Sequence, residues 1–408
     1  MSKQHTSGTS EFRNRILHQS IAEPWPVPDK SLDMLVTSPP YWGQRDYGDE
    51  TKTWWNHDAE CDHSVTDDNT CEDCGGELVQ LGQEDDPRDY IEHLVDGLHE
   101  EAMRALRNDG QLWINIGDSY SRGVKDVPWA EEKQRLLLPY RVAIEMQNRG
   151  WVLRSELIWA KGVAFEDGET KGGGMPSAVH DRLNHFQEPF FGFVKPKEHR
   201  KSYFVDTERG RVSWEREDGM KRNDYYADMN SIRLDPIWVD EDGDRTDLYG
   251  RKMGSEENAG GSPQQHEQGQ PNLYMRNHPL GKNPGSIWQV TPGSINKDYS
   301  HTAPYPKTLV ERIIQFASPR ERCSECGLPL TPELYRDGEE PELHEVECGC
   351  DAPPQPSVVF DPFIGSGTTA IVAAENSRDY CGLDLNSEYI EEAKARVPPK
   401  QKGLGDFD

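Results

Sequence analysis

The sequence predicts an α/β protein built on a mostly parallel sheet, and three observations carry that prediction. Strand-like apolar runs alternate with helical periods through "KSLDMLVT", "PRDYIEHLVDGLHEEAMRALRNDG", "QLWINIG", "LLPYRVAIEMQNRG" and "WVLRSELIWAKG". Near the other end, "SVVFDPFIGSGTT" runs from an apolar strand through a glycine turn into an Ala-rich helix. One helix later a second strand, "YCGLDLN", ends on Asp384.

The elements follow in order. Residues 12–37, from "FRNRILHQSIAEPWP" into "KSLDMLVT", read as a β-α-β start. The strand that reaches Thr37 stops on Ser38-Pro39-Pro40-Tyr41-Trp42. Two prolines remove two backbone donors, and Pro40 bars Pro39 from helical geometry, so this corner is stiff and offers carbonyls and a ring. Residues 56–86 are acidic, bear cysteines and have no period of 2 or 3.6, as expected of an insertion. In the helix that follows, Tyr90, Leu94, Leu98, Met103 and Leu106 share a face, with Gly110 as its stop.

From 163 to 285 periodicity weakens into Gly/Pro/Gln-rich stretches, with basic and aromatic residues interleaved at "KPKEHRKSYF" and "EREDGMKRNDYY". "GSIWQV" reads as a strand and "PYPKTLVERIIQFA" as an amphipathic helix. A second acidic, cysteine-bearing insertion fills 320–356, and no internal repeat is visible.

The 408 residues hold enough apolar and aromatic side chains for a core, but a mean hydropathy of -0.87 implies a very polar surface. No apolar run approaches the roughly 20 residues of a membrane span, and "MSKQHTSGTSEFRNR" has no hydrophobic signal core, so a cytoplasmic protein is expected. The 73 acidic residues against 45 basic ones give a net charge of -28, which opposes binding a polyanion. The acids are scattered, however, and arginine is commoner than lysine. That pattern fits a halophilic host, where salt shortens electrostatic range and blunts the objection.

In the glycine corner, Gly365 and Gly367 permit positive φ and close approach of a ligand to backbone, beside the unpaired N–H groups of a helix start. Asp384 at the next strand tip can accept both hydroxyls of a ribose, although a solvated strand end or helix cap would look the same. No G-x-x-x-x-G-K-[ST] is present, which disfavours a triphosphate ligand.

"DPFIGSGTT" together with "TSPPYW" resembles the DNA amino-methyltransferases that use S-adenosyl-L-methionine (SAM), which methylate cytosine N4 or adenine N6. With the SPPY corner first and the FxGxG corner last, the order looks like the permuted β group of that family. "GQLWINIGDSYS", "GWVLRSELIWAKG", "NHFQEPFFGF" and "HTAPYPKTLVERII" add to the resemblance, which covers roughly 12–160 and 285–397. It implies a Rossmann-like methyltransferase fold: a catalytic half at 12–162, a target-recognition region at 163–285 and a SAM-binding half at 286–397. Asp361, Pro362, Phe363, Gly365, Ser366, Gly367 and Thr368 would line the methionine and adenosine parts of SAM, with Asp384 on the ribose. His301 to Lys307 would lie on the helix that closes that pocket. The family often has Gly-Asp ahead of the SPPY strand, where the acid helps hold adenine; here "LHQS" places Gln19.

The resemblance also assigns roles at Ser38, Pro39, Pro40 and Tyr41. An exocyclic amine is a poor nucleophile because its lone pair is delocalised into the ring. Acceptors at its N–H groups, the Ser38 hydroxyl and the Pro39 carbonyl, favour pyramidalisation and direct attack on the SAM methyl, while the prolines hold the geometry. Tyr41 would stack on a base flipped out of duplex DNA. Ser38, where adenine enzymes more often carry Asp or Asn, favours cytosine N4, with adenine N6 as the alternative. A SAM enzyme acting on RNA and a non-enzymatic zinc-containing DNA-binding protein are further readings. The implied partner is duplex DNA with a short recognition sequence; pairing with a cognate restriction endonuclease and an orphan enzyme both stay open, and oligomeric state is not implied.

Eight cysteines in a cytoplasmic chain point to metal more than to disulfides. Cys61, His63, Cys71 and Cys74 offer a tetrahedral Zn²⁺ set, with His57 as an alternative fourth ligand. Cys323, Cys326, Cys348 and Cys350 offer a second, tighter in its C-G-C half, with His344 as a substitute ligand. SAM chemistry needs no metal, so both sites are expected to be structural. Cys381, within a strand, is expected in the core.

Overall fold

The computed structural model describes residues 11–58, 60–122, 127, 129–164, 170–172, 180–206, 210–234, 283–291, 305–330 and 347–398. Strand β1 (Arg15–His18) leads to β2 (Leu32–Thr37), then a hairpin, β3 (Lys52–Trp55) and β4 (Glu77–Gln80). Helix α1 (Pro87–Ala105) runs into β5 (Leu106–Asn115), and α2 (Leu138–Asn148) into β6 (Val152–Ala160). After the short pair β7 (Gly162–Ala164) and β8 (Thr170–Gly172) comes β9 (Gln187–Val194). A small sheet holds β10 (Tyr203–Asp206), β11 (Arg211–Ser213) and β12 (Lys221–Asn223). Then follow β13 (Ile287–Gln289), α3 (Lys307–Ala317), β14 (Glu321–Cys323) and β15 (Pro354–Pro356). The chain closes with β16 (Val358–Asp361), α4 (Thr368–Glu375), β17 (Asp379–Asp384) and α5 (Ser387–Arg396).

Eight strands form the main sheet in the order β1-β17-β16-β2-β5-β9-β6-β13. All neighbours are parallel except those of β9, which runs antiparallel between β5 and β6. This is the expected Rossmann-like sheet with helices on both faces. The central strands alternate between two apolar layers, because successive side chains of a strand point to opposite faces. Leu35, Leu112, Phe191 and Phe360 meet Tyr90, Leu94 and Leu98 of α1 on one face. Met34, Val36, Trp113, Phe190 and Val359 meet Leu309, Ile313 and Ile314 of α3 on the other. Two helices carry side-chain N-caps: Asp86 accepts from Arg88 N at 2.8 Å on α1, and Asn386 from Tyr389 N at 3.0 Å on α5. Cys381 is fully buried in the core, as expected, and burial pushes its thiol up to about 12.

Three expectations need correction. The start is not β-α-β: no helix lies between β1 and β2, since Pro24, Pro26 and Pro28 remove alternate donors from that stretch. Helix α1 ends at Ala105, and Gly110 is inside β5, where a Cβ would come within 2.8 Å of the Asp33 carbonyl oxygen. Gly110 therefore serves strand packing rather than a helix stop. Finally, the range 163–285, where periodicity weakens into loop-like stretches, contains β9, a central strand of the main sheet. Residues 235–282 of that range, with His301 and His344, lie outside the described residues.

Candidate active site and metal centres

Strands β2 and β16 lie side by side and parallel, with Met34 opposite Val359 and Leu35 opposite Phe360. Their C-terminal ends deliver Ser38-Pro39-Pro40-Tyr41 and Asp361-Pro362-Phe363 to the same edge of the sheet. A cleft open to solvent joins the two corners. Ser38 and Pro40 line it from one side, and Pro362, Phe363, Gly365 and Asp384 from the other. Gln19, Tyr47, Thr53, Trp55 and Tyr389 complete much of the wall.

The other residues of the glycine corner support the site without lining that cleft. Asp361 is buried and accepts hydrogen bonds from Thr37 Oγ1 at 2.6 Å, Thr369 Oγ1 at 2.5 Å, Phe363 N at 3.0 Å and Tyr305 Oη at 3.1 Å. Burial raises its pKa against these four donors. Asp361 thus ties β2, β16, α4 and the segment leading into α3 into one knot. Ser366 and Thr368 are buried, and Gly367, with φ +85°, brings its backbone against α5, where a Cβ would come within 2.8 Å of Ala393 Cβ.

Asp384 sits at the cleft with Oδ2 accepting from Gly365 N and Oδ1 from Asn386 N, each at 2.8 Å. Burial raises its pKa to about 6. Gln19 does reach the cleft where the resemblance implies an acid, but its Nε2 donates to the Pro24 carbonyl at 2.7 Å. Of the implied closing helix, residues 305–307 are described, and contrary to expectation only Lys307 is helical: it opens α3 and pairs with Glu375, while Tyr305, ahead of the helix and of the N-cap Pro306, anchors Asp361.

At the SPPY corner, Ser38 Oγ donates to Tyr41 Oη at 3.2 Å. Tyr41 Oη in turn lies 2.8 Å from Asn115 Oδ1 and 3.1 Å from Glu188 Oε2, both acceptors, and Glu188 is paired with Lys161. Burial and then Glu188 push the Tyr41 hydroxyl well above its ordinary pKa. The Tyr41 ring packs on Gly117, where a Cβ would come within 2.5 Å of ring carbons. Tyr90 Oη donates to the Pro40 carbonyl at 2.9 Å. Nothing local marks Asn115, Glu188 or Lys161 as site residues, although "GQLWINIGDSYS", "NHFQEPFFGF" and "GWVLRSELIWAKG" hold them.

Both cysteine sets converge: within each, the four donor atoms lie within 4.8 Å of one another. Cys61 Sγ and Cys71 Sγ are 3.7 Å apart, and Cys74 Sγ and His63 Nδ1 3.5 Å. Tetrahedral Zn²⁺ with bonds of about 2.3 Å to S and 2.0 Å to N has edges of about 3.8 and 3.5 Å, so the donors fit. His57 Nδ1 contacts His63 Nε2 at 3.1 Å, which makes His57 the orienting partner of a ligand rather than the fourth ligand. The two C-x-x-C-G turns match in detail. Gly75 N donates to the Cys71 carbonyl and Gly327 N to the Cys323 carbonyl, both at 2.9 Å, with φ +73° and +72°. In the second set, Gly349 at φ +81° lets Cys348 and Cys350 turn to one point despite their short spacing.

The second centre is docked on the core by Arg322, fully buried, which pairs with Asp33 of β2 and, at 2.9 Å, with Asp109 of β5. It also holds the small β10–β11–β12 sheet: Trp214 Nε1 donates to the Cys326 carbonyl at 2.9 Å, and Val212 N to the Glu347 carbonyl at 2.9 Å.

Residues 32–395 match the DNA methylase family of N6 and N4 methyltransferases. The Type II methyltransferase M.SmaI of Serratia marcescens is 27% identical over 389 residues, which cover 90% of this chain and 84% of that protein. M.SfiI of Streptomyces fimbriatus, another Type II methyltransferase, is 34% identical over 203 residues, covering 48% of this chain and only 38% of that protein. Among solved structures, the cytosine-N4-specific PvuII DNA methyltransferase aligns over 96% of this chain and 88% of its own, with a TM-score of 0.48 and 13% identity. On the extent of the family match, the chain belongs to the N6/N4 DNA methylase family.

Proposed function

We propose that this protein is a site-specific DNA methyltransferase that transfers the methyl group of SAM to the N4 amine of a cytosine flipped out of duplex DNA. The observation that carries the proposal is the single cleft in which Ser38 and Pro40 face Pro362, Phe363, Gly365 and Asp384. Bound SAM supplies an electrophilic methyl group. Asp384 would hold the ribose hydroxyls, with Pro362, Phe363 and the backbone at Gly365 flanking the rest. On the acceptor side, the Ser38 hydroxyl spends its proton on Tyr41, so its lone pairs are left to accept from the amine. Tyr90 occupies the Pro40 carbonyl, which leaves the Pro39 carbonyl as the second acceptor. These contacts localise the amine lone pair, and rate comes from positioning and electrostatics without a side-chain nucleophile.

Ser38 favours cytosine over adenine, and the Type II relatives favour a short recognition sequence and a cognate endonuclease as partner. Zn²⁺ at both cysteine centres is proposed as structural, since neither set leaves an open ligand position. Mass spectrometry of nucleosides from plasmid DNA methylated in vitro, beside a Pro39→Ala control, tests the reading. N4-methylcytosine from the unaltered enzyme alone is expected, and N6-methyladenine alone would overturn the choice of base.

A further inference from the structure

The first cysteine centre is built into the wall of the cleft. Thr53 and Trp55, alternate residues of β3, line the cleft. Trp54 between them faces the other way and lays its ring on that of His63, with centroids 4.2 Å apart. The partner strand β4 carries Gln80 into the cleft, followed by Leu81. Buried Gln80 fastens the preceding wall: its Oε1 accepts from Tyr47 N at 2.8 Å and Thr51 Oγ1 at 3.0 Å, and its Nε2 donates to the Arg45 carbonyl at 3.0 Å. All four metal donors lie in the chain that joins β3 to β4. Trp55 also stacks on His93 at 4.8 Å, His93 meets Glu84 at 3.2 Å, and the Glu84 carbonyl accepts from Trp42 Nε1 at 2.8 Å. One hairpin therefore touches the metal centre on one face, and on the other the cleft and the residue next to Tyr41.

We propose that metal binding at Cys61, His63, Cys71 and Cys74 and SAM binding in the cleft are positively linked through the β3–β4 hairpin. The proposal rests on the zinc and SAM readings above and adds their coupling. Without the metal, the loop between β3 and β4 loses its cross-link, so SAM must order the hairpin at the expense of its own affinity. The second centre supplies an internal control, since the strands beside it, β14 and β15, contribute nothing to the cleft wall, whereas β3 and β4 do.

The test measures zinc content and SAM affinity by calorimetry in the full-length protein, in Cys74→Ser, Cys326→Ser and Trp54→Ala. Two zinc ions per chain are expected in the unaltered protein and one in each cysteine variant. Cys74→Ser should bind SAM about tenfold more weakly, and Cys326→Ser within about twofold of the unaltered protein. Trp54→Ala keeps all four ligands and should weaken SAM about threefold, so it reads the coupling even if Cys74→Ser does not fold. Unchanged SAM affinity in Trp54→Ala with two zinc ions bound overturns the coupling, as does unchanged affinity in a folded Cys74→Ser that has lost one zinc. An unaltered protein that binds SAM but holds no zinc overturns the metal reading, and one that holds zinc but binds no SAM overturns the cofactor reading; either removes the linkage with it.

Discussion

The Tyr41 hydroxyl lies 3.1 Å from the Glu188 carboxylate, although the two residues are 147 positions apart in the chain. Together with Asn115 they fix the hydrogen-bond direction of Ser38. Tyr41→Phe removes the acceptor for the Ser38 proton and is expected to lower methyl-transfer turnover roughly 10- to 100-fold, with SAM affinity unchanged. Glu188→Gln, which keeps the shape, should fall between the two. Single-turnover kinetics with saturating SAM separate this from a binding defect.

Gly117 carries the Tyr41 ring on its open face, and a methyl group there would overlap ring carbons at 2.5 Å. Gly117→Ala should displace the ring and reduce turnover at least about tenfold. The readout is kcat against thermal melting: a melting point near that of the unaltered enzyme with turnover lost supports a positioning role, and intact turnover refutes it.

Asp384 sets a pH dependence. Its carboxyl is raised by burial from 3.8 to about 6, so the folded chain holds that proton more tightly than the unfolded one. In SAM-free protein this contribution to stability is complete below about pH 4 and is lost as pH rises through about 6. SAM binding has the opposite slope, because the ionised carboxylate is the better acceptor for ribose hydroxyls. Affinity should rise severalfold from pH 5 to 7, and Asp384→Asn should flatten that rise; calorimetric titrations across this range check both.

Arg322 pairs with Asp33 and Asp109 at about 1% exposure. Arg322→Ala leaves buried Asp109 without its paired cation and Asp33 with only Arg107, at 3.3 Å, and should cost about 3–5 kcal/mol, measured by denaturant unfolding. Removing an exposed partner, as in Lys133→Ala, should produce no measurable change, since Lys133 and Asp181 keep 71% and 57% of their surface in water.

The sequence disclosed what depends on short spacing. Ser38-Pro39-Pro40-Tyr41, the glycine corner and both C-x-x-C-G turns act through neighbours in the chain, and each stands where its local pattern places it. It concealed what depends on partners far along the chain. Glu188 and Lys161 read as ordinary surface charges until β9 inserts between β5 and β6 and brings them to Tyr41. Arg322 sits beside a cysteine in an acidic stretch, and nothing local marks it as the buried mate of Asp33. The β9 strand itself was obscured by Gly/Pro-rich flanks, and the proline-spaced chain before β2 imitated a helix by composition alone.

One consequence follows from the pairing of β1 with β17, which sets Arg15 beside Cys381. On the ribosome, the acceptor corner at Ser38 emerges hundreds of residues before the glycine corner, and β1 must wait without its sheet partner until β17 is synthesised. Contacts of such long sequence separation slow folding. On the proposed reading, the corner at Ser38 has no methyl-donor seat beside it until β16 and β17 are made, so competence to modify DNA arrives with β17.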